Sequence, residues 1–127
     1  MGSTASSNPS LLPDVSEEIN SSPVFMYSTT TCGYCSKAKR VLKDARVPYR
    51  TRELNKFAET VSTDVYKSYL AAIGSYTKNN QTVPQVFVCG RHVGGYAQLL
   101  VLRRMDRLRP MLEECMAPAD VATVCPV

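Results

Sequence analysis

The segment Cys32-Gly33-Tyr34-Cys35 constrains this chain more than any other feature. It follows a short apolar run, Val24-Phe25-Met26-Tyr27, which reads as a buried strand. It precedes a stretch in which Ala38, Val41, Leu42 and Ala45 recur on one helical face, with lysines and arginines opposite. A cysteine placed where a strand turns into a helix faces unpaired backbone N–H groups and the positive end of the helix dipole. Both favour thiolate over thiol. Cysteines so placed ionise at roughly pH 3.5–7.5, against about 8.5 when free. Cys35 lies one turn in, within reach of Cys32 but less exposed. Cys32 therefore reads as an attacking thiolate and Cys35 as a resolving thiol. Two other readings stand beside this one. A structural zinc site needs four ligands, and no second CxxC is present; Cys89 and His92 match no common ligand spacing. The two cysteines can also be inert packing residues.

Composition narrows the setting. The chain has 127 residues, five cysteines, one histidine and no tryptophan, enough length for one domain without disulfide staples. No apolar run suits a transmembrane helix, and the start carries neither a secretory nor a transit signal. An odd cysteine count does not suit a fully paired secreted framework. The expectation is a cytoplasmic setting with free thiols. The net charge of +4 is uneven. Lys37, Lys39, Arg40, Lys43 and Arg46 follow the motif, and Arg103, Arg104, Arg107 and Arg109 form a second group. These runs read as solvated helix faces and not as a nucleic-acid site, although such stripes can also favour an anionic partner.

Residues 1–10 read as a disordered tail and 117–127 as a loose C-terminal tail, leaving 11–116 as the domain. Leu11, Val15 and Ile19, with Asp14 as cap, predict a short helix ending near Asn20. Val47-Pro48 stops the motif helix, and Tyr49–Leu54 suits a second strand. Residues 56–77 follow an approximate helical period with Gly74 near the stop. Val83 to Cys89 predicts a third strand, Gly90-Arg91 a turn, and His92-Val93 a short fourth strand. A helix follows from Tyr96, with a kink or restart at Arg109-Pro110. The fold class is α/β: a mixed four-stranded sheet flanked by helices, opened by a right-handed strand–helix–strand unit.

Two further signals accompany the motif. In Thr82-Val83-Pro84, a proline at the start of a strand suits a cis bond, which would turn the Val83 backbone toward an extended thiol peptide. An ordinary trans proline is the alternative. Gly94-Gly95 before a helix lets a ligand approach closely, and the helix N-terminus attracts a carboxylate; a plain turn is the alternative.

In this order the three features resemble a glutaredoxin. The matching segments are Cys32-Gly33-Tyr34-Cys35, Val47-Pro48-Tyr49, Glu53-Leu54, Thr82 to Val88, Gly90 to Gly95 and Leu99-Leu100. Thioredoxin is the near neighbour, but its motif carries a tryptophan before CGPC. The resemblance implies a thioredoxin fold and a glutathione-dependent thiol–disulfide oxidoreductase with Cys32 and Cys35 as catalytic residues. It implies glutathione contacts from Tyr34, Gln81, Thr82, Val83, Pro84, Gly94, Gly95 and Tyr96. The implied partners are glutathione and glutathionylated or disulfide-bonded proteins, with the chain monomeric.

Three departures from the family pattern stand out. Many glutaredoxins carry Lys where this chain has Thr29, Arg where it has Gln81, and Ser-Asp or Asp-Asp where it has Ala97-Gln98. Each removes a charged or hydrogen-bonding contact, so glutathione affinity is expected to be modest. Gly33 replaces the common Pro. Family members with Gly or Ser there hold a [2Fe–2S] cluster between two protomers through the first cysteine and glutathione. Cys32 would serve that role in an alternative, dimeric reading. Cys89, Cys115 and Cys125 read as packing residues, with Cys115 half-buried and Cys125 exposed. The start Met1-Gly2-Ser3 fits N-myristoylation at Gly2.

Overall fold

A computed structural model describes residues 12–126. Leu11, the N-terminal tail and Gly2 lie outside the described residues. Strands β1 (Val24–Ser28), β2 (Tyr49–Glu53), β3 (Gln85–Val88) and β4 (Arg91–Gly94) form one sheet in the order β2-β1-β3-β4. β1 and β2 are parallel, joined by helix α2 (Gly33–Asp44); β3 runs antiparallel to β1 and β4 to β3. The expected mixed four-stranded sheet is what forms.

Alternation along buried strands divides the core in two. Val24, Met26, Val86 and Val88 face α2 through Ala38 and Leu42. They also meet Leu99 of α5 (Tyr96–Arg104) and Leu108 and Leu112 of α6 (Leu108–Leu112). Phe25, Tyr27 and Phe87 face the other way. They pack on α1 (Val15–Ile19) through Val15 and Ile19, and on α4 (Thr63–Thr77) through Tyr69 and Ile73. Every β1 residue is buried, which is why its sequence is an unbroken apolar run up to Ser28.

On the second face, the Glu18 carboxylate is a four-way acceptor. Tyr27 and Tyr69 donate to one oxygen at 2.8 and 2.5 Å; Arg52 Nε and Nη2 donate to the other at 3.0 and 2.6 Å. Burial, with the neighbouring carboxylate, pushes both phenol groups above the ordinary tyrosine range.

Helix boundaries follow local chemistry. Asp14 caps α1 by accepting from the Glu17 N–H at 3.2 Å. The stretch after β2 is two helices, α3 (Leu54–Ala58) and α4, separated by a short link. Gly74 lies inside α4, and its carbonyl accepts from Lys78 and Asn79 as the chain turns back. A side chain at Gly74 would run into Asn79 Oδ1.

Further expectations need correction. The β3–β4 turn is Cys89-Gly90, one residue earlier than expected; both have positive φ, as a tight two-residue hairpin turn requires. The last long helix breaks at Met105 to Arg107, with Asp106 left-handed, and not at Pro110. Pro110 sits in the first turn of α6, where its missing N–H costs nothing. The loose tail is in fact packed: α7 (Pro118–Val121) and the segment after it bury Val121 and Val124. The Cys125 N–H donates to Ala45 O at 2.7 Å, and Arg103 and Arg109 donate to carbonyls of Pro126, Val124 and Cys125. Finally, Cys89 and Cys115 are joined in a disulfide, Cα atoms 5.5 Å apart, with Cys115 exposed. Cys125 is the one free cysteine among the described residues; it is half-buried, and burial raises its thiol pKa.

Candidate active site

The site forms where β1 ends, α2 begins and the loop into β3 comes alongside. Cys32 is the N-cap of α2, and its sulfur accepts from the Cys35 N–H at 3.0 Å. This is where the first turn of a helix leaves its N–H groups unpaired. A hydrogen bond from a backbone N–H favours the charged form of a thiol, so the same geometry holds a thiolate when the pair is reduced. Cys32 and Cys35 form a disulfide, with Cα atoms 5.2 Å apart. Cys32 is partly exposed and Cys35 fully buried, so an external sulfur meets Cys32 first.

The Val83–Pro84 bond is cis, as the sequence suggested, and the Val83 carbonyl lies 3.7 Å from Cys32 Sγ. Beside it runs a groove of about 310 Å³. One wall is Tyr34, Thr82, Val83 and Pro84; the other is Gly95, Tyr96, Ala97 and Gln98. The rings of Tyr34 and Tyr96 lie 5.9 Å apart, and Lys37 Nζ sits 5.1 Å from the Tyr34 ring centre. Gly95 approaches Pro84 so closely that an added Cβ would touch the Pro84 carbonyl at 3.4 Å. The first intrahelical bond of α5 runs from Leu99 N–H to Gly95 O. Preceding N–H groups in that first turn have no acceptor within the helix. The Gly95 N–H itself is taken by the Gln98 side chain at 2.8 Å.

Six of the expected groove residues thus line one hollow: Tyr34, Thr82, Val83, Pro84, Gly95 and Tyr96. Gln81 lines a neighbouring hollow, and Gly94, with positive φ, packs against Gln98 and lines neither. Ala97 and Gln98 complete the wall; the sequence marked them only as departures from a pattern.

A family model for glutaredoxin matches residues 24–93, the span from β1 to β4 that carries both cysteines and the cis proline. The chain belongs to the glutaredoxin family. Among its relatives, glutaredoxin-C1 of Arabidopsis thaliana is 30% identical over 104 residues, covering 82% of this chain and 78% of the relative. Mitochondrial glutaredoxin-2 of mouse is 32% identical over 101 residues, covering 80% and 60% respectively. A crystal structure of a buckwheat glutaredoxin–glutathione complex superposes with a TM-score of 0.66 at 34% identity, covering 80% of this chain and 86% of that one. The architecture is therefore the thioredoxin fold, and this glutaredoxin carries the redox-active cysteine pair of a thiol–disulfide oxidoreductase.

Behind the motif, on the α2 side of the sheet, the Glu53 carboxylate accepts from Ser28 Oγ at 3.1 Å and from Lys39 Nζ at 3.0 Å. This ties the end of β1 to the end of β2 and to α2. Among the described residues no helix is long and apolar enough to cross a membrane.

Proposed function

We propose that this glutaredoxin reduces protein–glutathione mixed disulfides and protein disulfides, with glutathione as the electron donor. The observation that carries this reading is the partly exposed Cys32 sulfur at the mouth of α2, beside the Val83 backbone and the groove. The Cys32 thiolate attacks the glutathionyl sulfur of a mixed disulfide. That S–S bond breaks, a Cys32–glutathione disulfide forms, and the protein thiolate leaves and takes a proton from water. A second glutathione thiolate then attacks the glutathionyl sulfur on Cys32. Glutathione disulfide is released and the Cys32 thiolate returns. With a protein disulfide, Cys35 loses its proton and attacks the Cys32 mixed disulfide, expelling the second protein thiol. The product is the Cys32–Cys35 disulfide, which two glutathione molecules reduce.

Glutathione lies along Val83 as an added strand. Its γ-glutamyl carboxylate meets the first turn of α5, and its glycyl end points toward Gln81. The likeness to a glutaredoxin crystallised with glutathione supports this placement. A [2Fe–2S] cluster needs four thiolates, of which one chain offers Cys32; the alternative, dimeric reading would take the set from Cys32 of two chains and two glutathiones.

The test is turnover coupled to glutathione reductase and NADPH. Cys32→Ser abolishes activity on both substrates. Cys35→Ser keeps activity on the glutathionylated substrate and loses it on the protein disulfide. Full activity of Cys32→Ser overturns the proposal.

A further inference from the structure

The groove beside Cys32 continues into a second hollow of about 190 Å³, and the two share Thr82 and Val83. The floor of the second is apolar: Leu54, Tyr66, Leu70 and Ile73. Its rim is Thr29, Asn80 and Gln81. No residue lining either hollow carries a charge.

The cations on the bordering elements are engaged or lie outside. Lys39 bonds Glu53, Arg52 bonds Glu18, and Lys37 lies over the Tyr34 ring. Lys56, Lys67 and Lys78 are exposed and line neither hollow. The second hollow runs along α4 from Tyr66 to Gly74, and Asn80 and Gln81 close it just past that helix. A free carboxylate arriving there would lose its water and gain no cation. An amide would keep its hydrogen-bonding partners in Asn80 and Gln81 without that loss.

We infer that the thiol this site takes up best is a glutathione-type cysteinyl peptide whose C-terminal carboxylate is capped as an amide, its end resting between Gln81 and the apolar floor. The inference rests on the glutathione reading above and names the substrate class for the same site. The exchange step is unchanged: in a mixed disulfide of the capped thiol, Cys32 attacks the capped thiol's sulfur, that S–S bond breaks as a new one forms to Cys32, and the partner thiolate leaves. A second capped thiol reduces the enzyme.

The test uses one reporter peptide joined by disulfide to three different thiols: glutathione, glutathione amide, and γ-glutamyl-cysteinyl-glycyl-glycine amide. The pre-reduced full chain is mixed with each, and release of the reporter thiol is timed in a single turnover. The amide conjugate is expected to react at least about threefold faster than the free acid. An acid conjugate as fast as the amide or faster overturns the inference while leaving the proposed function intact. Inertness of all three overturns the proposed function, and the inference falls with it. Reaction of the short amide alone points to a small capped thiol; reaction of the extended conjugate as well points to a continuing polypeptide. Gln81→Lys, which puts a cation at that end in place of the amide's partner, should raise the acid-to-amide rate ratio about tenfold. An unaltered acid-to-amide ratio in that variant also overturns the inference.

Discussion

The two ends of the central sheet each carry a cysteine pair, and the pairs differ in kind. At the end where β1 stops, Cys32 and Cys35 are three residues apart in one helical turn, beside an open groove. At the opposite end, Cys89 and Cys115 are 26 residues apart and join the β3–β4 turn to the segment after α6. A bond within one turn closes almost no loop, so making or breaking it changes chemistry more than chain freedom. A bond across 26 residues restricts the unfolded chain and fastens two distant segments. One end of the sheet is arranged for exchange, the other for holding on.

Substitutions can sharpen or break that contrast. Cys32→Ser should have the largest effect on rate, abolishing turnover while leaving the thermal midpoint nearly unchanged; a large drop in midpoint would erase the distinction. Ending the chain at Met116 should have the largest effect on stability. It removes Val121 and Val124 from the core, an upper figure of about 3–6 kcal/mol in urea unfolding, with Cys32 still reactive. Cys115→Ser should cost about 2–4 kcal/mol without changing turnover of a glutathionylated substrate; a parallel loss of rate would show that the two ends are coupled. The smallest effect belongs to His92, which packs on Phe87 beside Gln85. Burial, helped by the Lys78 charge, lowers its pKa, so the folded chain favours the neutral ring. The contribution is complete above the unfolded value of about 6.5 and is lost as pH falls through the folded one. The midpoint should therefore decline as pH falls below about 6.5, and His92→Gln should flatten that decline.

The exchange end was legible in the sequence because its parts are local. Cys32 and Cys35 share a turn, Thr82-Val83-Pro84 is contiguous, and Gly94-Gly95 abuts the helix it serves. The fastened end was not legible. Cys89 and Cys115 become neighbours only after α5 and α6 fold back on the sheet, and nothing in their spacing announces it. Val121 and Val124 are too few to show a period, so their stretch read as a tail. Arg103 and Arg109 looked like part of a solvated basic face, yet they donate to carbonyls of that same stretch. The uncharged lining of the groove was half legible: Thr29 and Gln81 marked missing cations, but the apolar floor from Leu54, Leu70 and Ile73 needed the fold.

The Glu18 carboxylate has a consequence for the order in which the molecule assembles. It sits on a helix of five residues, too short to persist alone, and its partners come from β1, β2 and α4. Those partners must already be in place before the helix has anything to hold. The helix that precedes the sheet in the chain is thus among the last elements to settle. Substitutions at Val15 and Ile19 should accelerate unfolding and barely slow folding, with φ-values near zero in stopped-flow kinetics.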